Sequence, residues 1–348
     1  MANKILQQGL YIHFPFCKKK CSYCAFYSQS YIFDYQKYIH TLIKEATVNS
    51  SFLPNKKIDT IYLGGGTPSI VPVNYILELF NSLSKIFDLS ECSEITIEAN
   101  PDDVDIEWIT SLKSTPINRI SIGIQSFNDN ELSILNRRHN AEGAAKALDL
   151  IASHYPNYSL DLMYGLPEQT MKSWEYSIEQ ALFFQPQHIS AYSLSVEPNT
   201  PLDKMSCSNI ITIPEEDFSI DCYNMLNDKL KDSHFEHYEI SNYCKSGYKA
   251  IHNSNYWKAF PYLGIGPAAH SFNGDIRKWN INSLEKYSEN VQNDDVYYEI
   301  ETLDTDMKYN EYIMLGLRTN NGIDFDEIEN KYGKIYATHT FATKKNIN

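Results

Sequence analysis

The sequence predicts an α/β protein built as a partial (β/α)6 barrel with a smaller C-terminal accessory region. Short runs rich in β-branched and aromatic residues alternate with longer stretches of helical spacing, and the alternation occurs six times. Such a pattern implies parallel strands joined by right-handed crossovers, which curl a sheet into a barrel or part of one. Six units are fewer than the eight of a closed barrel. We therefore expect a partial barrel, with a doubly wound open sheet as the alternative.

Each unit joins a predicted strand to a predicted helix. The pairs, in chain order, are GLYIHFPF with residues 35–47, IDTIYLGGG with 73–87, EITIEANP with 106–113, RISIGIQSF with 141–153, YSLDLMYGLP with 173–184, and HISAYSLSVEP with 215–231. The alternation fades after residue 231. We therefore predict the barrel over residues 1–231 and the accessory region over residues 232–348.

Length and charge exclude several classes of function. The chain has 348 residues and a formal net charge of −14, which disfavours nucleic acid as a main partner because phosphate backbones are bound by clustered Lys and Arg. No run approaches the roughly 20 apolar residues that span a bilayer, and the N-terminus lacks a secretory signal pattern. We expect a cytoplasmic protein with no transmembrane segment. The chain has seven cysteines, and three of them lie close together in the sequence. In the reducing cytoplasm this arrangement favours metal ligation over disulfides.

Ligand-competent residues follow every predicted strand of the barrel. They are Cys17, the run GGGT at 64–67, Glu98, Gln125, Asp161 and the stretch 192–197. Because the carboxyl ends of parallel strands converge, we expect these residues to share one site. A polar residue at one strand end is common and needs no functional explanation. Polar residues at six corresponding strand ends are less readily explained without a shared function. The glycine run permits close backbone approach to a ligand, although it lacks the dinucleotide and P-loop spacings.

Three cysteines lie within the stretch CKKKCSYC, at Cys17, Cys21 and Cys24. Thiolates so close together suit a soft metal or an iron–sulfur cluster. A structural zinc site normally takes four protein ligands in two pairs, and no second CxxC pair follows. A four-iron cluster held by three cysteines leaves one iron open to a small-molecule chelate. The polar strand ends would surround that chelate.

The CxxxCxxC spacing, with an aromatic residue before the last cysteine, resembles that of the radical S-adenosylmethionine (SAM) superfamily. Further motifs resemble those of one branch of this superfamily, which contains oxygen-independent coproporphyrinogen III dehydrogenases (HemN type) and HemW-type heme chaperones. These motifs are YIHFPFC, GGGTP, EANP, GIQSF, NRRH, DLMYGLP and HNSNYW. The resemblance runs from about Tyr11 to Gly333. It implies the radical SAM fold, a [4Fe–4S] cluster and bound SAM, which an electron from the cluster can cleave to a 5′-deoxyadenosyl radical.

The resemblance also implies roles for individual residues. Cys17, Cys21 and Cys24 would be the metal ligands. The SAM-binding residues would be Tyr11, Tyr23, Gly65, Gly66, Thr67, Glu98, Gln125, Arg137 and Asp161. Free N–H groups of the glycine run would meet the methionyl part of SAM, and the planar guanidinium of Arg137 would meet its carboxylate.

Within this branch, three features favour the chaperone over the dehydrogenase. The dehydrogenases carry CxxxCxxCxC, whereas Phe26 occupies the last cysteine position here, and only ten residues precede Tyr11 where those enzymes have a long extension. HNSNYW resembles the HNxxYW motif proposed to bind heme in HemW proteins. His252 would then ligate heme iron, with Tyr256 and Trp257 against the macrocycle. A lone histidine among aromatic residues is also commonly a hydrogen-bonded structural residue, so both interpretations stay open.

We therefore expect a heme chaperone that binds a [4Fe–4S] cluster, SAM and heme and passes heme to an acceptor protein, with no catalytic residue assigned. The alternative is an enzyme, either a coproporphyrinogen III dehydrogenase or another radical SAM oxidoreductase, and a simple iron–sulfur electron carrier is the third hypothesis. Cys244 and His270 are further candidates for a heme ligand. The accessory region resembles a shortened HemN-like C-terminal domain. The sequence identifies neither the heme acceptor nor the electron donor.

Overall fold

The computed structural model describes residues 7–30 and 34–347, and it confirms the six predicted βα units. Strands β1 to β6 are Gly9–Phe14, Thr60–Gly65, Glu94–Ala99, Arg119–Gln125, Tyr158–Tyr164 and His188–Ser193. Helices α1 to α8 are Tyr35–Val48, Val73–Ile86, Ile106–Leu112, Asp129–Ile134, Ala141–His154, Met171–Phe183, Pro201–Cys207 and Glu216–Asp232. The short helices α4 and α7 were not predicted, and both lie in connections between a strand and the longer helix that follows.

Helix starts follow ordinary capping chemistry. The side chains of Asp34, Asp105, Asn140 and Thr170 each accept a hydrogen bond from a backbone N–H in the first turn of α1, α3, α5 and α6. In α5 the buried residues lie at helical spacing, so one face packs against the sheet. None of the helices formed by the described residues is both long enough and apolar enough to span a membrane.

The accessory region adds strands to both edges of the barrel sheet. Its strands β7 to β12 are Glu236–Glu239, Asn242–Cys244, Tyr262–Ile265, His270–Phe272, Ile276–Asn280 and Tyr298–Thr302, and its helices α9 to α13 are Ile251–Trp257, Leu284–Asn293, Thr305–Leu317, Phe325–Tyr332 and Lys334–Ile347. The sheet order is β12-β11-β10-β9-β1-β2-β3-β4-β5-β6-β8-β7. Strand β9 pairs parallel to β1, whereas β8 pairs antiparallel to β6. The accessory region thus shares the barrel's sheet, and the division at residue 231 stays a prediction.

Alternation along the strands separates an apolar layer from a polar interior. In β1, Leu10, Ile12 and Phe14 are fully buried in the main hydrophobic core, where the helices pack on the outside of the sheet. The intervening residues face the inside of the curved sheet, which we call the lumen. The lumen-facing side chains of the six strands include Tyr11, His13, Thr60, Tyr62, Thr96, Glu98, Arg119, Ser121, Ser159, Asp161, His188 and Ser190. The lumen is therefore polar from end to end.

Candidate functional site

The cysteine loop, residues 17–24, begins just after β1 at the carboxyl-end mouth of the lumen. Its start is fixed because the N–H of Cys17 donates to the carbonyl of Gln29 at 2.9 Å. Its middle is fixed to the end of α4, where Ser22 donates from its N–H to the carbonyl of Leu135 at 3.0 Å and from its Oγ to that of Ile134 at 2.8 Å. These contacts to distant parts of the chain give the loop a defined position.

Two of the three thiols contact polar side chains from other parts of the chain. Cys17 Sγ lies 3.5 Å from Thr67 Oγ1, and Cys21 Sγ accepts a hydrogen bond from Arg137 Nη1 at 3.3 Å. Burial raises the pKa of Cys17 and of Cys24 above the ordinary thiol value, and the charge of Cys21 contributes in the same direction. Both thiols are therefore protonated at neutral pH, so binding a metal or cluster there would release protons.

Arg137 lies beside the cysteine loop. Its Nη2 donates to Asn100 Oδ1 and to the carbonyl of Gly123, both at 2.5 Å, so its position is set by the ends of β3 and β4. Its Nε is buried and has no hydrogen-bond partner within the described ranges. Since an unpaired buried donor is unfavourable, Nε is available to an incoming acceptor such as a carboxylate.

The prediction of free backbone donors in the glycine run is wrong for Gly65 and Gly66. The N–H of Gly65 donates to Glu98 Oε2 at 3.1 Å, and the N–H of Gly66 donates to the carbonyl of Phe14 at 2.7 Å. Steric constraints explain why glycine occupies these two positions. A Cβ on Gly66 would lie 2.6 Å from the carbonyl oxygen of Phe16, and one on Gly65, whose φ is +107°, would lie 2.5 Å from the ring of His13. The run lets β2 pass close to the start of the cysteine loop.

Two carboxylates face the lumen near its mouth. Glu98 accepts from Tyr62 Oη at 2.9 Å as well as from Gly65, and Asp161 accepts from Ser121 Oγ at 3.3 Å. Burial, reinforced by the charge of Asp161, raises the pKa of Glu98 to about 7, and burial raises that of Asp161 to about 6. The pair can therefore hold or release a proton near neutral pH.

Tyr11 is oriented by a histidine that the sequence interpretation gave no role. His13 Nε2 lies 3.0 Å from the carbonyl of Tyr27 and must donate to it, and burial lowers the pKa of His13 to about 4, so its ring is neutral. Its Nδ1 therefore accepts from the Tyr11 hydroxyl at 3.0 Å. The Tyr11 ring stacks on Tyr62 with centroids 6.3 Å apart. The lone pairs of Tyr11 Oη remain available to a ligand in the lumen.

Tyr23 and Gln125 also lie at the mouth. Tyr23 packs against the small apolar cluster of Leu135, Met163 and Leu166, and its phenol lies close enough to Arg137 to feel that charge. Gln125 ends β4 in a left-handed conformation with φ +71°, where the pairing of β4 with β5 shifts register. Backbone strain of this kind often accompanies functional sites. Their contacts with SAM stay predictions.

His252 lies at the opposite end of the barrel from the cysteine loop. Its Nδ1 is 2.8 Å from Thr60 Oγ1, its Nε2 is 2.8 Å from the Tyr256 hydroxyl, and its ring stacks on Tyr62. Burial, with the charge of Arg119 as a smaller cause, lowers its pKa to about 3. The residue is 2% exposed. This arrangement corresponds to the hydrogen-bonded structural alternative, and heme ligation would require the ring to give up one of its two bonds.

The other heme-ligand candidates lie apart from the cysteine loop. Cys244 is fully buried in β8, and burial raises its pKa to about 11. His270 is exposed on β10 and stacks on Trp279 with centroids 6.2 Å apart. The ring of Trp257 faces the guanidinium of Arg318, whose central carbon is 4.8 Å from the ring centroid. The structure does not bring these residues together into one heme pocket.

The sequence interpretation missed Asp103, which joins three strand ends around the cysteine loop. Its carboxylate accepts from Lys18 Nζ at 2.7 Å, from Arg138 Nη2 at 2.9 Å and from Ser69 Oγ at 3.1 Å. Its side chain is only 2% exposed. Lys18 belongs to the cysteine loop, and Arg138 follows Arg137. The available signal was the pair of aspartates directly after EANP at the end of β3.

The residues at the mouth fit a [4Fe–4S] cluster with SAM beside it. Three thiols in one anchored loop would provide the ligands, and the unpartnered Nε of Arg137 beside Cys21 suits a carboxylate. Within residues 7–30 and 34–347, no three His, Cys, Asp or Glu side chains form a group that could hold a single metal ion. A four-iron cluster does not require such a group, because it offers a separate iron to each thiolate.

Comparisons with known proteins agree with this geometry. Residues 11–181 match the radical SAM superfamily. A protein named heme chaperone HemW from Bacillus subtilis (strain 168) is 32% identical over an alignment that covers 94% of this chain and 87% of that protein. A protein of the same name from Buchnera aphidicola subsp. Schizaphis graminum is 39% identical, with 79% of this chain and 75% of that protein covered.

Among solved structures, the E. coli coproporphyrinogen III oxidase HemN, described as a radical SAM enzyme, superposes with a TM-score of 0.83 and 21% identity. The match covers 96% of this chain and 80% of that one, which confirms the predicted fold. The sequence relatives confirm the predicted resemblance. The chain therefore belongs to the radical SAM superfamily, whose members use a [4Fe–4S] cluster and SAM, and within it to the family of proteins named heme chaperone HemW.

Proposed function

We propose that this chain is a heme chaperone that binds a [4Fe–4S] cluster through Cys17, Cys21 and Cys24, holds SAM at the mouth of the lumen and transfers heme to an acceptor protein. The observation that carries the proposal is the anchored three-cysteine loop at the mouth of a polar lumen. The names and the extent of the sequence relatives support the chaperone assignment.

The chain's own residues would hold SAM in a fixed orientation. Arg137 would present Nε to the SAM carboxylate, while Glu98 and Asp161 would accept from its ammonium or ribose hydroxyl groups. Tyr11, held by His13, would present its oxygen as an acceptor. When bound, the cluster would supply the electron that cleaves SAM.

Phe26 favours the chaperone over the dehydrogenase. It stands where the related dehydrogenases carry a further cysteine, and its ring is 73% exposed beside the cysteine loop. The position therefore offers an apolar surface where those enzymes offer a thiol.

Heme titration of anaerobically reconstituted protein tests the proposal. We expect a saturable Soret shift with a defined stoichiometry, followed by loss of heme to a heme-free acceptor such as apomyoglobin. Absence of saturable binding would contradict the chaperone function. Turnover of coproporphyrinogen III with SAM and a reductant would instead support the enzyme.

A further inference from the structure

The most exposed part of the cysteine loop carries three consecutive lysines. Lys18, Lys19 and Lys20 are all exposed and stand between Cys17 and Cys21 in sequence. They form a local positive patch in a chain whose formal net charge is −14. A positive patch on a negative protein concentrates the attraction for acidic partners at one place.

The patch is presented by a preorganised loop. Lys18 Nζ is tied to Asp103 at 2.7 Å, and Asn136 Nδ2 donates to the carbonyl of Lys20 at 2.9 Å. Lys20 Nζ in turn lies 3.3 Å from the carbonyl of Phe26. The backbone of Phe26 therefore adjoins Lys20, and the residue is 73% exposed. An exposed apolar residue next to charged residues is typical of a protein-binding surface. A preordered surface loses little conformational entropy on binding.

Position determines which kind of partner this surface fits. The lysines belong to the same short loop as the predicted cluster ligands, so a protein bound to them would lie close to the cluster. A partner protein that carries a redox centre would transfer electrons to the cluster faster from that position, because the rate of electron transfer falls steeply with distance.

We propose that Lys19, Lys20 and Phe26 form the docking surface for an acidic one-electron carrier protein that reduces the cluster. The carrier loses one electron and the cluster gains it, so [4Fe–4S]2+ becomes [4Fe–4S]1+. This inference rests on the proposed cluster site and adds the partner's chemistry to it.

The test compares two double variants of the cluster-loaded full chain. K19E/K20E changes the patch, and K113E/K172E changes two exposed lysines outside the cysteine loop. Each Lys→Glu change adds two negative charges, so both variants move the formal net charge from −14 to −18. Iron and sulfide content and heme titration are measured first, so that loss of the cluster or of the proposed function is separated from loss of docking.

The probe is a plant-type [2Fe–2S] ferredoxin, which is acidic and has a potential of about −400 mV. We expect K19E/K20E to weaken ferredoxin binding and slow cluster reduction at least about tenfold at low salt, with the difference shrinking as salt rises. K113E/K172E should stay within about twofold of the parent chain, and reduction by a small uncharged photoreductant should be alike in all three proteins. Equal ferredoxin affinities and rates for the two variants would overturn the proposal. So would preferential binding of the patch to anionic vesicles or RNA with no binding of ferredoxin.

Discussion

Replacing Asp103 by asparagine should loosen the cysteine loop. The substitution removes the charge that holds Lys18 and Arg138, whose side chains are 55% and 20% exposed. Hydrogen bonds to charged groups contribute about 1.5–3 kcal/mol each, but Lys18 can turn to water and asparagine keeps one acceptor oxygen. Most of the loss then comes from the more buried Arg138, and we expect about 2 kcal/mol lower stability.

Urea unfolding of the cluster-free chain measures this loss, and iron retention after reconstitution measures its effect on the site. Asp102→Asn is the matched control, because Asp102 lies 3.7 Å from Arg138 Nε and its side chain is 29% exposed. Asp102 also accepts from Asn100 Nδ2 at 2.8 Å, and the asparagine keeps one oxygen for that bond. The remaining ion pair should contribute no more than about 0.5 kcal/mol. We expect Asp103→Asn to lose iron faster than the control. Equal stabilities and equal iron retention in the two variants would refute the positioning role of Asp103.

Three further substitutions test other contacts. Gly66→Ala forces a Cβ against the backbone of Phe16 and should lower the free energy of unfolding by about 1–3 kcal/mol. Gly143→Ala, in the first turn of helix α5, gains helix propensity but puts a Cβ 3.3 Å from Asn140 Oδ1, so it should change the free energy of unfolding by no more than about 1 kcal/mol. Equal effects of the two substitutions would show that the turn at Gly66 has room for a side chain. Glu98 keeps its proton to about pH 7 when folded but only to about pH 4.5 when unfolded, so its titration should lower stability by about 2–3 kcal/mol across that range. Urea titrations of Glu98→Gln should show a smaller fall, and the remaining fall comes from Asp161, whose pKa is raised to about 6. An unchanged pH profile would show that Glu98 is not perturbed. His252→Gln should reduce stability by about 1–3 kcal/mol and leave the Soret position of bound heme unchanged; loss of the Soret shift would assign the iron to His252.

The strand pattern predicted the barrel, and its alternation accounts for the face on which the ligand-competent residues lie. In YSLDLMY of β5, apolar residues alternate with polar ones, which places Asp161 on the face opposite Leu160 and Leu162. The same period of two runs through β2, β3 and β4. Helices α4 and α7 were missed because six or seven residues give too little periodicity to detect.

Contacts between distant residues limited what could be predicted about the site. Whether the N–H of Gly65 is free depends on Glu98, 33 positions away. Whether His252 can reach a ligand depends on Thr60, 192 positions away. Both partners are set by how the sheet curls, which local sequence does not encode. The parallel pairing of β9 with β1 was hidden for the same reason.

The central claim is that three thiols hold a cluster with one iron open to SAM. The most direct test is the EPR spectrum of the reduced, reconstituted chain before and after SAM is added. We predict a fully loaded [4Fe–4S] cluster whose spectrum changes on addition of SAM, and a smaller change in Arg137→Met, which lacks the proposed carboxylate donor. A full cluster whose spectrum is identical with and without saturating SAM would contradict the account.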